Sequence, residues 1–138
     1  MTFKIPAKVK VSLAVAALAL VDQQRYRMRL YTNGRVAGEY DVSFGQGEGE
    51  KQFEGDNKTP KGMCFVVGKR RGEFPGAYGA FYGGHWMKIN YPNKFDAARG
   101  LSAGLVTPAQ AAKIAAAWEE RAPTLEATRL GGGIGFHG

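Results

Sequence analysis

The sequence predicts a mainly β fold with a smaller helical part, that is, a domain of the α+β class. Glycine supplies 20 of the 138 residues, about twice its usual share of roughly 7%, which favours many turns. Several short segments alternate apolar and polar side chains, whereas only one segment combines the caps and the spacing of a helix. A chain of this length is the size of one domain and can bury a core without disulfides or metals.

A β-hairpin is predicted between about Arg25 and Phe44. Apolar and basic side chains alternate from Arg25 to Leu30, which is the period of a half-buried strand. Asn33-Gly34 follows and suits a two-residue type I′ turn, because both positions of that turn need positive φ. The alternation then resumes as far as Phe44.

Further short strands are predicted at Met63–Val67 and Trp86–Tyr91, the second ending at the turn signal Pro92-Asn93. The glycine-rich and aromatic stretch 72–84 has no clear period and is predicted to be a loop with packed rings. A last strand is predicted to begin at about Gly131 and to reach the end of the chain.

The clearest helix opens at Thr107. Thr107 suits the N-cap, Pro108 the first helical position, and Gln110 the third position of a capping box. An apolar stripe follows at helical spacing and predicts the face that packs on the core: Ala111, Ile114, Ala115, Trp118 and Ala122.

The first 20 residues allow two interpretations. Met1–Lys10 carries three lysines and leads into the uncharged apolar run Val11–Val21, as in a secretory signal peptide. Cleavage there would imply export to the periplasm or cell envelope. Alternatively, the run continues directly into a buried first strand. It is too short to span a bilayer as a helix, so no stable membrane span is expected.

The net charge of +7 favours anionic partners such as nucleic acid, acidic lipid or wall polymer. The basic residues are scattered, and the longest run, Lys69-Arg70-Arg71, is interpreted as a solvated surface. The sequence shows no stripe of aromatic and basic residues typical of nucleic-acid binding, so nucleic acid is not expected as a partner.

Few residues here could carry chemistry. Cys64, the single cysteine, lies among apolar neighbours and is interpreted as a buried structural thiol. Two histidines and one cysteine cannot form a four-ligand zinc site without carboxylates, so neither a metal nor a cofactor is expected. His85 is interpreted as a packing residue. His137 closes the last strand, where sites are often built, but one histidine without a partner leaves a structural role open.

Several segments together resemble the L,D-transpeptidase (YkuD, ErfK/YbiS-type) catalytic domain. The turn Gly55–Gly62 is similar to the family's Gly-Asp-x-x-Thr-Pro-x-Gly phrase. The segment Ile89–Asn93, with Asp96 and Gly100-Leu101, resembles a second phrase. Gly132–Gly138 is similar to the strand that holds the family's first active-site histidine. The similarity runs from about Leu18 to Gly138, with the motifs in the family's order.

The resemblance implies a YkuD-like β-sandwich or barrel-like fold with an edge helix over residues 21–138. It also implies cysteine-thioester acyl transfer on the stem tetrapeptides of peptidoglycan, with His137 as the catalytic histidine and Tyr91 and Gly133 as pocket-lining candidates.

The family's Gly-Cys segment does not follow His137, and Cys64 does not occupy its place. We therefore expect a domain truncated before its nucleophile, incomplete at its C-terminus and inactive alone. Carbapenem inhibition is expected only of the complete parent. The alternative is a non-catalytic peptidoglycan-binding module or pseudoenzyme.

Overall fold

The computed structural model describes residues 17–138. Within that range the chain forms two compact units, one ending at Phe44 and the other running from Gly45 to Gly138. The described residues form six strands and two α-helices, with the strands in two antiparallel three-stranded sheets, and this confirms the predicted α+β class. Neither helix in this range is long and apolar enough to cross a membrane.

The first unit is a three-stranded antiparallel sheet of β1 (Ala17–Asp22), β2 (Arg27–Thr32) and β3 (Arg35–Asp41), in that order. Asn33 and Gly34 join β2 to β3 with φ of 49° and 75°, so the predicted hairpin and its turn are confirmed. Arg27 forms ion pairs with Glu39 and Asp41 across the sheet.

The start of β1 bears on the predicted signal peptide. Residues 17–20 belong to β1 and pair with β2 in antiparallel register. The rest of the predicted signal segment, 1–16, lies outside the described residues, so its cleavage stays a prediction.

The second unit holds a sheet of β4 (Val66–Arg71), β5 (His85–Ile89) and β6 (Gly135–His137), in that order. β5 is central, and its Trp86 pairs with His137 of β6. Lys69-Arg70-Arg71 ends β4, and Arg70 and Arg71 are exposed there, as predicted.

The strand predicted at Met63–Val67 is wrong in its first half. Residues 63–65 lie outside β4 because other parts of the chain take up their hydrogen bonds. The Phe65 amide donates to the Asn90 side chain at 2.7 Å, and the Trp118 indole donates to the Met63 carbonyl at 3.0 Å. Specific side-chain contacts therefore replace the sheet ladder here.

Two helices cover the core of the second unit. α2 (Pro108–Glu119) has the predicted capping box between Thr107 and Gln110. α1 (Lys94–Ser102) was not predicted, and it begins with a second capping box, between Asn93 and Asp96. Among the described residues, the buried hydrophobic side chains of this core come from both helices and from the segments around them: Tyr91, Ala97, Val106, Ile114, Trp118 and Leu130.

A buried ion pair holds the loop that precedes β4. Lys51 Nζ lies 2.9 Å from Asp56 Oδ1, and the two side chains are only 6% and 2% exposed. Burial works to raise the pKa of Asp56, but hydrogen bonds from the backbone amides of Gln52, Phe53 and Lys58 and from the Lys51 ammonium outweigh it. Together they hold the pKa of that carboxyl well below its usual range.

Candidate functional site

His137 lies at the end of β6 with its side chain exposed. Three aromatic side chains surround its imidazole, with ring centroids 4.8 Å away for Phe81, 5.4 Å for Tyr82 and 6.1 Å for Trp86. Trp86 comes from the neighbouring strand β5, and the other two come from the loop 72–84. The imidazole thus contacts three rings while its side chain remains exposed to solvent.

The loop 72–84 is packed against the last strand through its backbone. The Gly138 amide donates to the Tyr82 carbonyl at 3.2 Å. A Cβ on Gly83 would lie 2.8 Å from the Gly138 backbone, so only glycine allows this approach without a shift. The loop contains a 3-10 turn at Gly79–Tyr82 and packed rings, and this confirms the predicted loop with packed rings.

The imidazole of His137 has one nitrogen close to the main chain, since Nδ1 lies 3.0 Å from the Gly138 main-chain oxygen. When Nδ1 carries the proton, it donates to that oxygen, and Nε2 keeps its lone pair. A histidine held in this tautomer can accept a proton through Nε2 from a nucleophile within hydrogen-bonding distance of that atom.

The segment that leads into β6 is held by a carboxylate. Glu126 Oε1 accepts a hydrogen bond of 2.9 Å from the Gly133 amide, and Glu126 Oε2 lies 2.7 Å from the ammonium of Lys88 on β5. Gly133 itself is exposed and has φ of 68°. It lies four residues before His137, at the start of the segment that carries the histidine, and its pocket-lining role stays a prediction.

Tyr91 lies inside the core. It is fully buried, its hydroxyl donates to the Leu130 carbonyl at 3.2 Å, and the Lys51 ammonium lies 6.0 Å from its ring centroid. Burial raises the pKa of the Tyr91 hydroxyl, and the nearby Asp96 carboxylate adds to this. Tyr91 thus contacts both Lys51, in the loop that precedes β4, and Leu130, in the segment before β6.

Cys64 is half-buried and free. Burial, helped by the negative charge of Asp96, raises the pKa of its thiol to about 12, even though a hydrogen bond with Asn93 opposes the shift. A thiol with so little thiolate at neutral pH is a poor nucleophile. This agrees with the structural role predicted for Cys64, although not with its predicted place in a strand.

His85 also has backbone and side-chain partners. Its Nδ1 lies 3.1 Å from the Gly83 carbonyl oxygen, and Arg71 Nε donates to its Nε2 at 3.3 Å. Both ring nitrogens are thus engaged within the loop and β4, but the side chain is exposed, so the packing role predicted for this residue stays a prediction.

A separate open cavity of about 440 Å³ lies at the start of α2. His137, Tyr91 and Gly133 are not among the residues that line it: Glu54, Gly104, Leu105, Val106, Thr107, Gln110, Ala127, Thr128 and Arg129. The cavity and the histidine site are therefore distinct features of the second unit.

Sequence reasoning singled out His137 as the catalytic candidate, which stays a prediction, but it missed the side chains that contact it. The rings of Phe81 and Tyr82 belong to a stretch that was recognised as aromatic, but without a period no ring could be assigned to the histidine. Glu126 gave no signal, because its partners Lys88 and Gly133 are 38 and 7 residues away. The adjacent glycines before Ile134 were the only local hint of a close approach.

These features define an α+β chain whose candidate site is an exposed histidine at the end of a strand, framed by aromatic side chains. The family model for the L,D-transpeptidase catalytic domain (YkuD) matches residues 16–138. The chain belongs to this family, and membership implies L,D-transpeptidase, that is acyltransferase, activity. A search of curated proteins and a search of solved structures each gave no match.

Proposed function

We propose that this chain supplies the histidine half of an L,D-transpeptidase site acting on peptidoglycan stem peptides, with His137 as the general base. The observation that carries the proposal is the exposed imidazole of His137, whose Nδ1 lies 3.0 Å from the Gly138 main-chain oxygen. When Nδ1 carries the proton and donates to that oxygen, Nε2 can accept a proton. The family match over residues 16–138 includes this histidine and supports the assignment.

In the proposed reaction, Nε2 of His137 takes the proton of a cysteine thiol as its sulfur attacks the carbonyl carbon between the third and fourth stem residues. The carbon–sulfur bond forms, the carbon–nitrogen bond breaks, and the imidazolium returns its proton to the leaving D-alanine. An amine of a second stem peptide then attacks the thioester, releases the thiol and completes the cross-link.

The thiol in this proposal does not come from Cys64. The raised pKa of that residue disfavours the thiolate, and no other cysteine occurs among the 138 residues. The proposal therefore assigns the nucleophile to a Gly-Cys segment of the complete parent, and residues 1–138 alone are expected to release no D-alanine. Carbapenem acylation would likewise need that segment.

Location and charge belong to the same proposal. Peptidoglycan lies in the cell envelope, so the proposed substrate requires export, which the lysine-rich and apolar start of the chain supports. The net charge of +7 favours encounter with anionic wall polymer, and the effect should weaken with salt.

The test compares His137→Ala with the parental sequence in a form that carries the Gly-Cys segment, and it measures D-alanine release from a stem tetrapeptide. Loss of the base should lower the rate by a factor on the order of 10² to 10⁴. His85→Asn, which replaces the other imidazole of the chain, serves as the control and should leave the rate nearly unchanged. An unchanged rate for His137→Ala would refute the assignment.

The alternative is a binding-only role, which the excess of positive charge favours. A pull-down with isolated cell wall at low and high salt distinguishes it from catalysis. Salt-sensitive binding by a Gly-Cys form that releases no D-alanine would favour the binding-only role.

A further inference from the structure

We propose that Glu126, acting with Lys88, is the positioning residue for His137. This inference rests on the proposed function, because it concerns how the proposed base is held. Glu126 lies in the segment between α2 and β6, and its carboxylate bonds to Lys88 and to the Gly133 amide. It would therefore act on His137 through the backbone that leads to the histidine.

One carboxylate joins two strands in this arrangement. Oε2 of Glu126 pairs with Lys88 on β5 at 2.7 Å, and Oε1 accepts from the Gly133 amide at 2.9 Å. Lys88 lies opposite Gly135 in the β5–β6 register, two residues before His137. The bridge therefore fixes the entry of β6 to the strand beside it, and charge-assisted hydrogen bonds of this length are among the stronger ones.

The segment 132–135 packs closely against both Glu126 and β5, so a change in the position of Glu126 should move this backbone. A Cβ on Gly132 would overlap the Glu126 side chain, and a Cβ on Gly135 would overlap the Met87 carbonyl oxygen and press on the Trp86 indole. The backbone of 132–135 is thus in direct contact with the carboxylate at one end and with β5 at the other. Displacing Glu126 should move this segment rather than a flexible side chain.

β6 has few other means of holding its position. It has only three residues, and within the described part of the chain it pairs with β5 alone, helped by the 3.0 Å bond from the Ile89 amide to the Ile134 carbonyl. A strand this short depends on the contacts at its ends. Its far end carries His137, so a shift at Gly133 changes how the imidazole lies against Trp86 and Phe81.

The ion pair is half-buried, with 36% of the Lys88 side chain and 27% of the Glu126 side chain exposed. The pair formed by Lys94 and Glu119 offers a matched control, because its lysine is similarly exposed at 32% while its carboxylate is 62% exposed. Both pairs have an N to O distance of 2.7 Å, but only one is tied to the strand of His137.

The experiment uses protein with labelled histidine, whose two imidazoles give two NMR signals, His137 and the internal reference His85. Glu126→Ala should shift the His137 signal, since the ring moves relative to its aromatic neighbours. It should also speed hydrogen exchange at 133–137 by about tenfold relative to β4. The Gln side chain of Glu126→Gln can still accept a hydrogen bond from the Gly133 amide. This variant should therefore keep the His137 signal and the exchange rate close to their parental values. Glu119→Ala should leave both at parental values, and melting curves of all three report any general loss of stability.

The inference is overturned if Glu126→Ala leaves the His137 signal and the exchange at 133–137 unchanged, or if Glu119→Ala changes them equally. If Glu126→Gln behaves like Glu126→Ala, the hydrogen bond from the Gly133 amide does not hold the entry of β6, and that part of the inference is overturned. Because these readouts follow the position of the ring and not turnover, they can succeed or fail independently of the proposed acyl transfer.

Discussion

The chemistry of single residues in this domain is set by what surrounds each titratable group. His137 is exposed and framed by rings, whereas Cys64 is half-buried beside the Asp96 carboxylate. The burial that makes Cys64 a good packing residue makes it a poor thiolate, because removal from water penalises the charged form.

Thiol labelling tests this contrast directly. With a pKa near 12, Cys64 should react with maleimide at pH 7.5 on the order of 10³ times more slowly than an ordinary cysteine, whose pKa is about 8.5. The same protein in urea provides the control and should label at the ordinary rate. Mass spectrometry follows both, and equally fast labelling of the native protein would contradict the structural role.

Asp56 allows a prediction about stability and pH. Asp56→Asn leaves the buried Lys51 ammonium without its counter-charge and should lower the free energy of unfolding by about 3 kcal/mol at pH 7. The pKa of Asp56 is lower in the folded than in the unfolded state, where it is about 3.9. Its contribution is therefore complete above that value and is lost as pH falls below it.

Urea unfolding at several pH values measures this difference. The difference in the free energy of unfolding between the parental protein and Asp56→Asn should be constant from about pH 6 to 8. This difference should become smaller below about pH 4. Glu119→Gln removes an ion pair whose carboxylate is 62% exposed and should change stability by less than about 1 kcal/mol. A gap that widens in acid would show that the sign of the pKa shift is wrong.

At the level of elements, the strands and helices that could be predicted are those whose sequence signals lie within a few residues of one another. The hairpin around Asn33-Gly34 and the helix opened by Thr107 carry their signals within a few residues, and both were predicted. α1 has a capping box as well, but its buried residues include the small Ala97 and Gly100 while Phe95 is 63% exposed, so it presents no apolar stripe. Its sequence therefore indicated a turn at Pro92-Asn93 instead of a helix.

The strand boundary at Met63–Phe65 was unpredictable for a different reason. Its partners Asn90, Asn93 and Trp118 lie 25 to 55 residues further along the chain. Only the folded chain brings these amides and the indole together. Long-range side-chain contacts of this kind leave no periodic trace in the sequence.

The two N-caps should differ in their contribution to stability. Thr107→Ala removes one exposed capping bond and should cost about 1 kcal/mol. Asn93→Ala should cost at least about 2 kcal/mol, because the buried amide accepts from Phe95 and Asp96 and also donates to the Met63 carbonyl. Thermal or urea unfolding measures both, and equal losses would contradict a joining role for Asn93.

At the level of the whole molecule, the two compact units differ in burial. Every buried hydrophobic residue in the described chain belongs to the unit from Gly45 to Gly138, among them Tyr91, Ile114 and Leu130. The described part of the other unit, 17–44, has no buried residue and consists of one sheet with exposed and half-buried side chains.

Native-state hydrogen exchange should reproduce this division. Amides of β1 to β3 are expected to exchange through openings that cost less than global unfolding, whereas those of β5 and α2 should approach the global value. Mass spectrometry of peptides from the two units measures the difference under identical conditions. Equal protection in both units would show that the first sheet gains stability from sources other than its own burial.

The glycines before His137 imply two different patterns of mutational tolerance. Gly132 and Gly135 lack room for a methyl group, so any side chain at these positions should be disfavoured, even that of alanine. Gly133 has open space around its Cβ position but φ of 68°, so selection there acts on backbone conformation, and asparagine or aspartate should be the best-tolerated replacements. A variable residue at Gly133 is therefore compatible with an intact site, whereas variation at Gly132 or Gly135 would mark homologues in which this strand has separated from its neighbours.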